Sequence, residues 1–188
     1  MQDEIDHTSF VIISECNTHD TVAVHLFQKL LIQFLTDTLG HVKKICYFSD
    51  GCAAQYKNRK NFLNLCLHEE DFGVQAEWHF FATSHGKGPS DGVGGTIKRL
   101  AARASLQRPF DQQIITARQL FEFADSEIDK IHCQFATTEQ YRQQAEFLKD
   151  LKMLAQFQVH GICILLFQSP KKRLQFDPFH LQTRKDRN

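Results

Sequence analysis

The sequence predicts an α/β fold, on three observations. Short β-branched or aromatic runs alternate with longer segments whose apolar residues recur every three or four positions. Their order is strand, helix, strand, helix, strand, helix, the order of neighbouring parallel strands joined by crossover helices. A glycine-rich loop, residues 86–95, separates the third strand from its helix.

The elements follow in order. Ser9-Phe10-Val11-Ile12-Ile13-Ser14 reads as a buried strand. Asn17-Thr18-His19-Asp20 then offers helix caps, and a helix runs from Thr21 to about Leu39. In it Val22, Leu26, Leu30 and Phe34 stand at four-residue steps, with Val24, Phe27, Leu31 and Leu35 beside them, and Gly40 ends it. Residues 43–49 form the second strand, and Asp50-Gly51 its turn. A second helix starts near Ala53 and reaches His68, followed by the acidic loop 69–73. Residues 74–81 alternate partially and read as the third strand; after the glycine loop a helix extends from about Val93 to Ser105. Past Arg108 the texture changes: helices at 112–125 and 138–157, a strand at 161–167, and a tail rich in Lys, Arg, Gln and Pro. The expected division is a core at 1–108, a helical extension with a terminal strand at 109–168, and a flexible basic tail at 169–188.

A chain of 188 residues, 42% hydrophobic, suits one globular domain that buries about 70% of its unfolded surface. Lys and Arg (22) balance Asp and Glu (22), so polyanion binding must rest on local patches. The expectation is a soluble intracellular protein, because no apolar run approaches a membrane span and no signal peptide opens the chain. The six cysteines form no Cys-x-x-Cys pair and read as reduced core thiols. Cys66 and His68 lack a standard zinc-ligand spacing.

Chemistry concentrates in two segments, Ser49-Asp-Gly-Cys-Ala-Ala-Gln-Tyr-Lys-Asn58 and His85-Gly-Lys-Gly-Pro-Ser-Asp-Gly-Val-Gly-Gly95. Asp50 ends a strand, where open α/β sheets bind ligands, yet Asp-Gly is also a common turn pair. Asp91 stands at a helix mouth, as a cap or as a metal ligand. Five glycines within ten residues are costly to order unless backbone, phosphate or metal must approach closely. The loop is neither a Walker A loop nor a dinucleotide fingerprint. His85 either orients a water, binds metal or contacts a phosphate, or caps a loop carbonyl, and Glu15, just after the first strand, faces the same crevice as Asp50 if the two strands are neighbours. Lys87, Lys98, Arg99, Arg103 and Arg108 follow or flank the second acid; Lys57, Arg59 and Lys60 follow the first. Such runs are either solvated faces or a track for a polyanion.

These two segments resemble those of the retroviral-integrase-like, RNase H-fold transposase domains of the DDE/DDD type, in particular a group of transposon-derived animal proteins. The resemblance covers residues 9–108 well and 109–165 loosely. It implies an RNase H-like mixed sheet flanked by helices, with three acids binding Mg²⁺, or Mn²⁺ in its place, for DNA strand cleavage and transfer. Asp50 matches the second acid and Asp91 the third, with His85 nearby in the catalytic set. Lys57, Lys87, Lys98, Arg99 and Arg103 would contact DNA. The strand at 9–14 matches the family's third strand, so the first two strands and their aspartate are expected upstream of Met1. The fold would then be incomplete at its N-terminus and catalysis weak or lost. The resemblance also implies a nuclear location, and a homo-oligomer is an open expectation. Two further classes stand beside this one: a non-catalytic nucleic-acid-binding module using Lys98, Arg99 and Arg103, and a protein-interaction module using Phe121, Phe123, Phe147 and Phe157.

Overall fold

The first strand and helix form where the pattern places them. A computed structural model describes residues 7–81 and 89–158, and in it β1 (Ser9–Ser14) leads to α1 (Thr21–Leu39). Asp20 is the α1 cap: its Oδ1 accepts from the amides of Val22 and Ala23, both at 3.0 Å, and Oδ2 accepts the Tyr141 hydroxyl at 3.0 Å. Gly40, at φ 77°, ends the helix in a conformation that a side chain would strain. Then come β2 (Lys44–Ser49), α2 (Arg59–Cys66), α3 (His68–Phe72) and β3 (Gln75–Phe80). The rest comprises α4 (Pro89–Gln107), a short 3₁₀ turn (Phe110–Gln112), α5 (Ala117–Glu127), β4 (Ile131–Ala136) and α6 (Thr138–Gln158).

The α/β class holds, but the sheet differs from the expectation. β1 pairs in parallel with β4, from Ser9↔Ile131 to Ser14↔Ala136, and not with β2. β2 pairs in parallel with β3, from Lys44↔Gln75 to Ser49↔Phe80. Among the described residues these are two separate two-stranded sheets rather than one mixed sheet.

The β1–β4 pair is covered on both faces, and alternate residues of β1 reach opposite layers. Phe10 stacks on Phe34 of α1 at 4.5 Å, and Ile12 packs with Leu26, Leu30 and Ala136. Val11 and Ile13 turn the other way, toward Ile97 of α4 and Ala124 of α5. The C-terminal half of α1 covers the second pair: Ile32 and Leu35 join Ile45, Tyr47 and Val74, with Trp78 against them. Lys44, Cys46 and Phe48 of β2 occupy alternate positions, on the face away from that core, with Gln75, Glu77 and His79 beside them in register.

Four local expectations shift. The glycine loop is shorter than read, because α4 begins at Pro89 and takes Gly92, Gly94 and Gly95 into its helix. The α2 helix starts only at Arg59, where the Asn58 side chain caps it. The acidic loop after it is a single helical turn ended by Gly73 at φ 68°. Thr116 and Gln119 form a capping box that delays α5 to Ala117. Beyond residue 108, where no strand was expected before 161–167, β4 forms and completes the first sheet, α5 packs on it, and α6 packs on α1. The expected strand at 161–167 and the tail at 169–188 lie outside the described residues. No described helix is long and apolar enough to cross a membrane.

Candidate functional site

Asp50 is exposed directly after β2, and its Oδ1 accepts the Cys52 amide at 2.9 Å. That is the turn role of an Asp-Gly pair, and it leaves Oδ2 for another partner. The segment after it folds tightly because the Cys52 carbonyl accepts from Gln55, Tyr56 and Lys57. Asn58 locks the turn: its Oδ1 accepts from Asn61 N at 3.0 Å and Thr21 Oγ1 at 3.2 Å, and its Nδ2 donates to the Ala53 carbonyl at 2.9 Å. Tyr56 packs near Trp78, whose Nε1 donates to Ser49 Oγ at 2.9 Å. Burial raises the Tyr56 phenol above its ordinary pKa, and the Asp50 charge adds to the shift. Much of the 49–58 motif is thus a scaffold that holds Asp50 at the strand end.

Asp91 is exposed in the first turn of α4. Because β2 and β3 are parallel and paired up to Ser49↔Phe80, Asp50 and the chain leading to Asp91 leave the same end of that sheet. His85 and Lys87 lie outside the described residues. Lys57 is exposed, its Nζ 5.7 Å from the centre of the Phe80 ring. Lys98, Arg99 and Arg103 are exposed on α4, away from its buried Ile97 and Ala101. Arg99 Nη2 lies 3.4 Å from Thr96 Oγ1. Glu15 does not serve the crevice: its Oε1 accepts the Thr138 amide at 2.6 Å, at the start of α6.

Two further polar clusters escape a linear reading. The first is buried. His25 and His68 are each 1% exposed, on α1 and α3. Asp71 Oδ2 lies 3.2 Å from His25 Nε2 and Gln144 Nε2 lies 3.0 Å from His25 Nδ1, which fits a neutral ring donating to the acid and accepting from the amide. His68 donates from Nδ1 to the Val74 carbonyl at 2.6 Å and accepts the Tyr47 hydroxyl at Nε2, at 2.9 Å. Burial pulls both imidazoles below their ordinary pKa. This buried network ties α1, α3, α6 and β2 together.

The second cluster is on the outward face of β2–β3. Cys46 and Glu77 are direct register partners, and His79 follows Glu77 by two residues on the same face. Glu77 Oε2 lies 3.8 Å from Cys46 Sγ and 3.5 Å from His79 Nε2; the three potential ligand atoms all lie within 4.8 Å of one another. Lys44 Nζ holds the other carboxylate oxygen at 2.5 Å and, as the largest cause, keeps Glu77 below the usual carboxylate pKa. The five described cysteines are free thiols and partly buried, with Cys133 packed against the core around Ile13, so the expectation of buried core thiols holds only in part for them. The signal available in sequence was Glu-x-His in a strand, but only the strand register places Cys46 opposite it.

A family model described as a domain of unknown function, DUF8701, matches residues 1–165, and the chain belongs to that family. No curated protein and no solved structure matches it.

Proposed function

We propose that this DUF8701 member is a DNA-handling domain of transposase type, with an RNase H-like ancestry, in which Asp50 and Asp91 are ligands for Mg²⁺. The observation that carries the reading is topological. One acid directly follows β2, the other stands in the first turn of the helix after β3, and the two strands are parallel neighbours. Ligand sites in open α/β sheets lie at such strand ends. The donors suit Mg²⁺, which binds through one or two carboxylate oxygens and keeps several waters. Both carboxylates are exposed, and Asp50 retains an oxygen outside its turn bond. Two carboxylates fit one hydrated ion better than the paired ions of a full nuclease site, so cleavage is weak or lost. When bound, the ion would supply charge for a phosphodiester oxygen; the protein side would orient the strand and neutralise its phosphates.

Exposed cations support such a role. Lys98, Arg99 and Arg103 project from α4, and Lys57 lies near the turn that carries Asp50. The glycines support the same reading. A Cβ at Gly92, Gly94 or Gly95 would meet nothing within 4 Å, so the described fold does not need their smallness. Each costs about 1 kcal/mol against alanine inside a helix. Close approach of a sugar-phosphate backbone gives that cost a reason.

The test is binding of a DNA duplex and a single strand across a salt series, with Mg²⁺-dependent nicking of supercoiled DNA measured alongside. Binding should weaken steeply with salt, and Arg99→Ala should lower the log–log slope by about 1. Any nicking should vanish in Asp50→Asn and Asp91→Asn with folding intact. Salt-dependent binding without nicking selects the non-catalytic nucleic-acid module, which the exposed α4 cations favour. No binding at low salt refutes both.

A further inference from the structure

We propose that Cys46, Glu77 and His79 form a three-ligand site for a zinc-class divalent ion, separate from the Asp50/Asp91 end of the sheet. Cys46 precedes Asp50 by four residues, about 13 Å along an extended strand. The Cys46 cluster therefore lies within β2, and Asp50 lies beyond its end.

The argument rests on spacing and donor chemistry. A tetrahedral ion with bonds of about 2.0–2.3 Å sets neighbouring ligand atoms about 3.3–3.8 Å apart. Two edges of the cluster already have that length: 3.5 Å from His79 Nε2 to Glu77 Oε2 and 3.8 Å from Glu77 Oε2 to Cys46 Sγ. The third edge is within 4.8 Å, so side-chain rotation alone has to shorten it. Strand pairing fixes the placement of two ligands, since Cys46 and Glu77 face each other in register, and the two-residue repeat puts His79 on the same side. These ligands therefore need little ordering on binding.

The donor set separates this site from one for Mg²⁺. A thiolate and an imidazole favour zinc or its neighbours, whereas Mg²⁺ takes oxygen. One thiolate and one carboxylate match the two charges of the ion, and the Lys44 ammonium beside Glu77 leaves the cluster with one positive charge. Lys44 holds Glu77 by Oε1 and leaves Oε2 turned to the cluster, an outer contact that orients a ligand. Cys46 and His79 are half-buried and Glu77 is exposed, so solvent reaches the fourth position, as in sites that keep an open coordination place.

The test is titration of the reduced, chelator-treated full chain with Co²⁺, followed by competition with Zn²⁺. One equivalent should give a near-ultraviolet thiolate-to-cobalt band and visible bands of tetrahedral intensity. Zn²⁺ should remove both at stoichiometric amounts, and a large excess of Mg²⁺ should not. Cys46→Ser should lose the near-ultraviolet band, and His79→Ala should bind at least tenfold more weakly. Cys16→Ser, on a loop, should behave as wild type. If Cys46→Ser does not fold, His79→Ala decides, because that side chain is 41% exposed. A thiolate band that persists unchanged in both Cys46→Ser and His79→Ala overturns the proposal, as does its absence from the wild type. Neither result depends on whether the protein binds DNA.

Discussion

Replacing Gly92, Gly94 and Gly95 together by alanine should stabilise the protein and weaken its grip on DNA. All three lie in α4, beyond its first three residues. None has a positive φ; among the described glycines only Gly40 and Gly73 do. A methyl group added at any of them meets nothing within 4 Å. The helix-propensity gain therefore comes without steric cost, at about 0.8–1 kcal/mol per site and about 2.5–3 kcal/mol for the triple variant. A domain of this size gains about 2–4 °C per kcal/mol, so the melting temperature should rise by roughly 5–12 °C. Thermal unfolding followed by far-ultraviolet circular dichroism measures the first half. Fluorescence anisotropy with a labelled duplex at low salt measures the second. A lower melting temperature would mean that another part of the chain presses on this helix and needs the glycines. Higher stability with unchanged affinity would refute their link to DNA and leave them unexplained.

Further expectations rest on individual bonds. His25 and His68 are held below their ordinary value of 6.5, so on acidification the unfolded chain takes up protons that the folded chain refuses. Stability should therefore be present above pH 6.5 and fall as pH drops toward the depressed values, by at most about 1.4 kcal/mol per pH unit per histidine. Urea midpoints between pH 7.5 and 5.5 would show this, and a flat profile would contradict it. Asp20→Ala removes the α1 cap and the Tyr141 partner, and should cost about 1–2 kcal/mol. Tyr141→Phe should retain the cap share of that stability in denaturant titrations. Asn58→Ala should loosen the turn after Asp50 and cost at least about 1 kcal/mol, because it severs contacts to Thr21, Ala53 and Asn61.

Elements whose signal is local were legible in the sequence. The β-branched run of Val11-Ile12-Ile13 specifies a strand wherever it packs, and the four-residue apolar steps of α1 specify a helix with two neighbours. The β4 strand was not legible, because Ile131-His132-Cys133-Gln134-Phe135-Ala136 has one β-branched residue and puts polar groups on its α1 side. It is a strand because β1 offers it an edge and Phe34 packs against His132, at 5.1 Å. Pairing is equally invisible locally: β1 precedes β2 in sequence, yet its partner lies more than a hundred residues away. For the site, the strand-end position of Asp50 could be read directly, whereas the cluster around Cys46 depends on register and could not.

The α1 helix belongs to both sheets at once: Leu26 and Leu30 reach one, Ile32 and Leu35 the other. Neither half can therefore open while its neighbour stays shut, since whichever lets go of this rod exposes greasy side chains in both. Amide exchange along its middle turns should proceed only through whole-molecule unfolding, at a rate shared with β1 and β2. One 19-residue rod makes a single cooperative unit of two strand pairs that share no backbone bond.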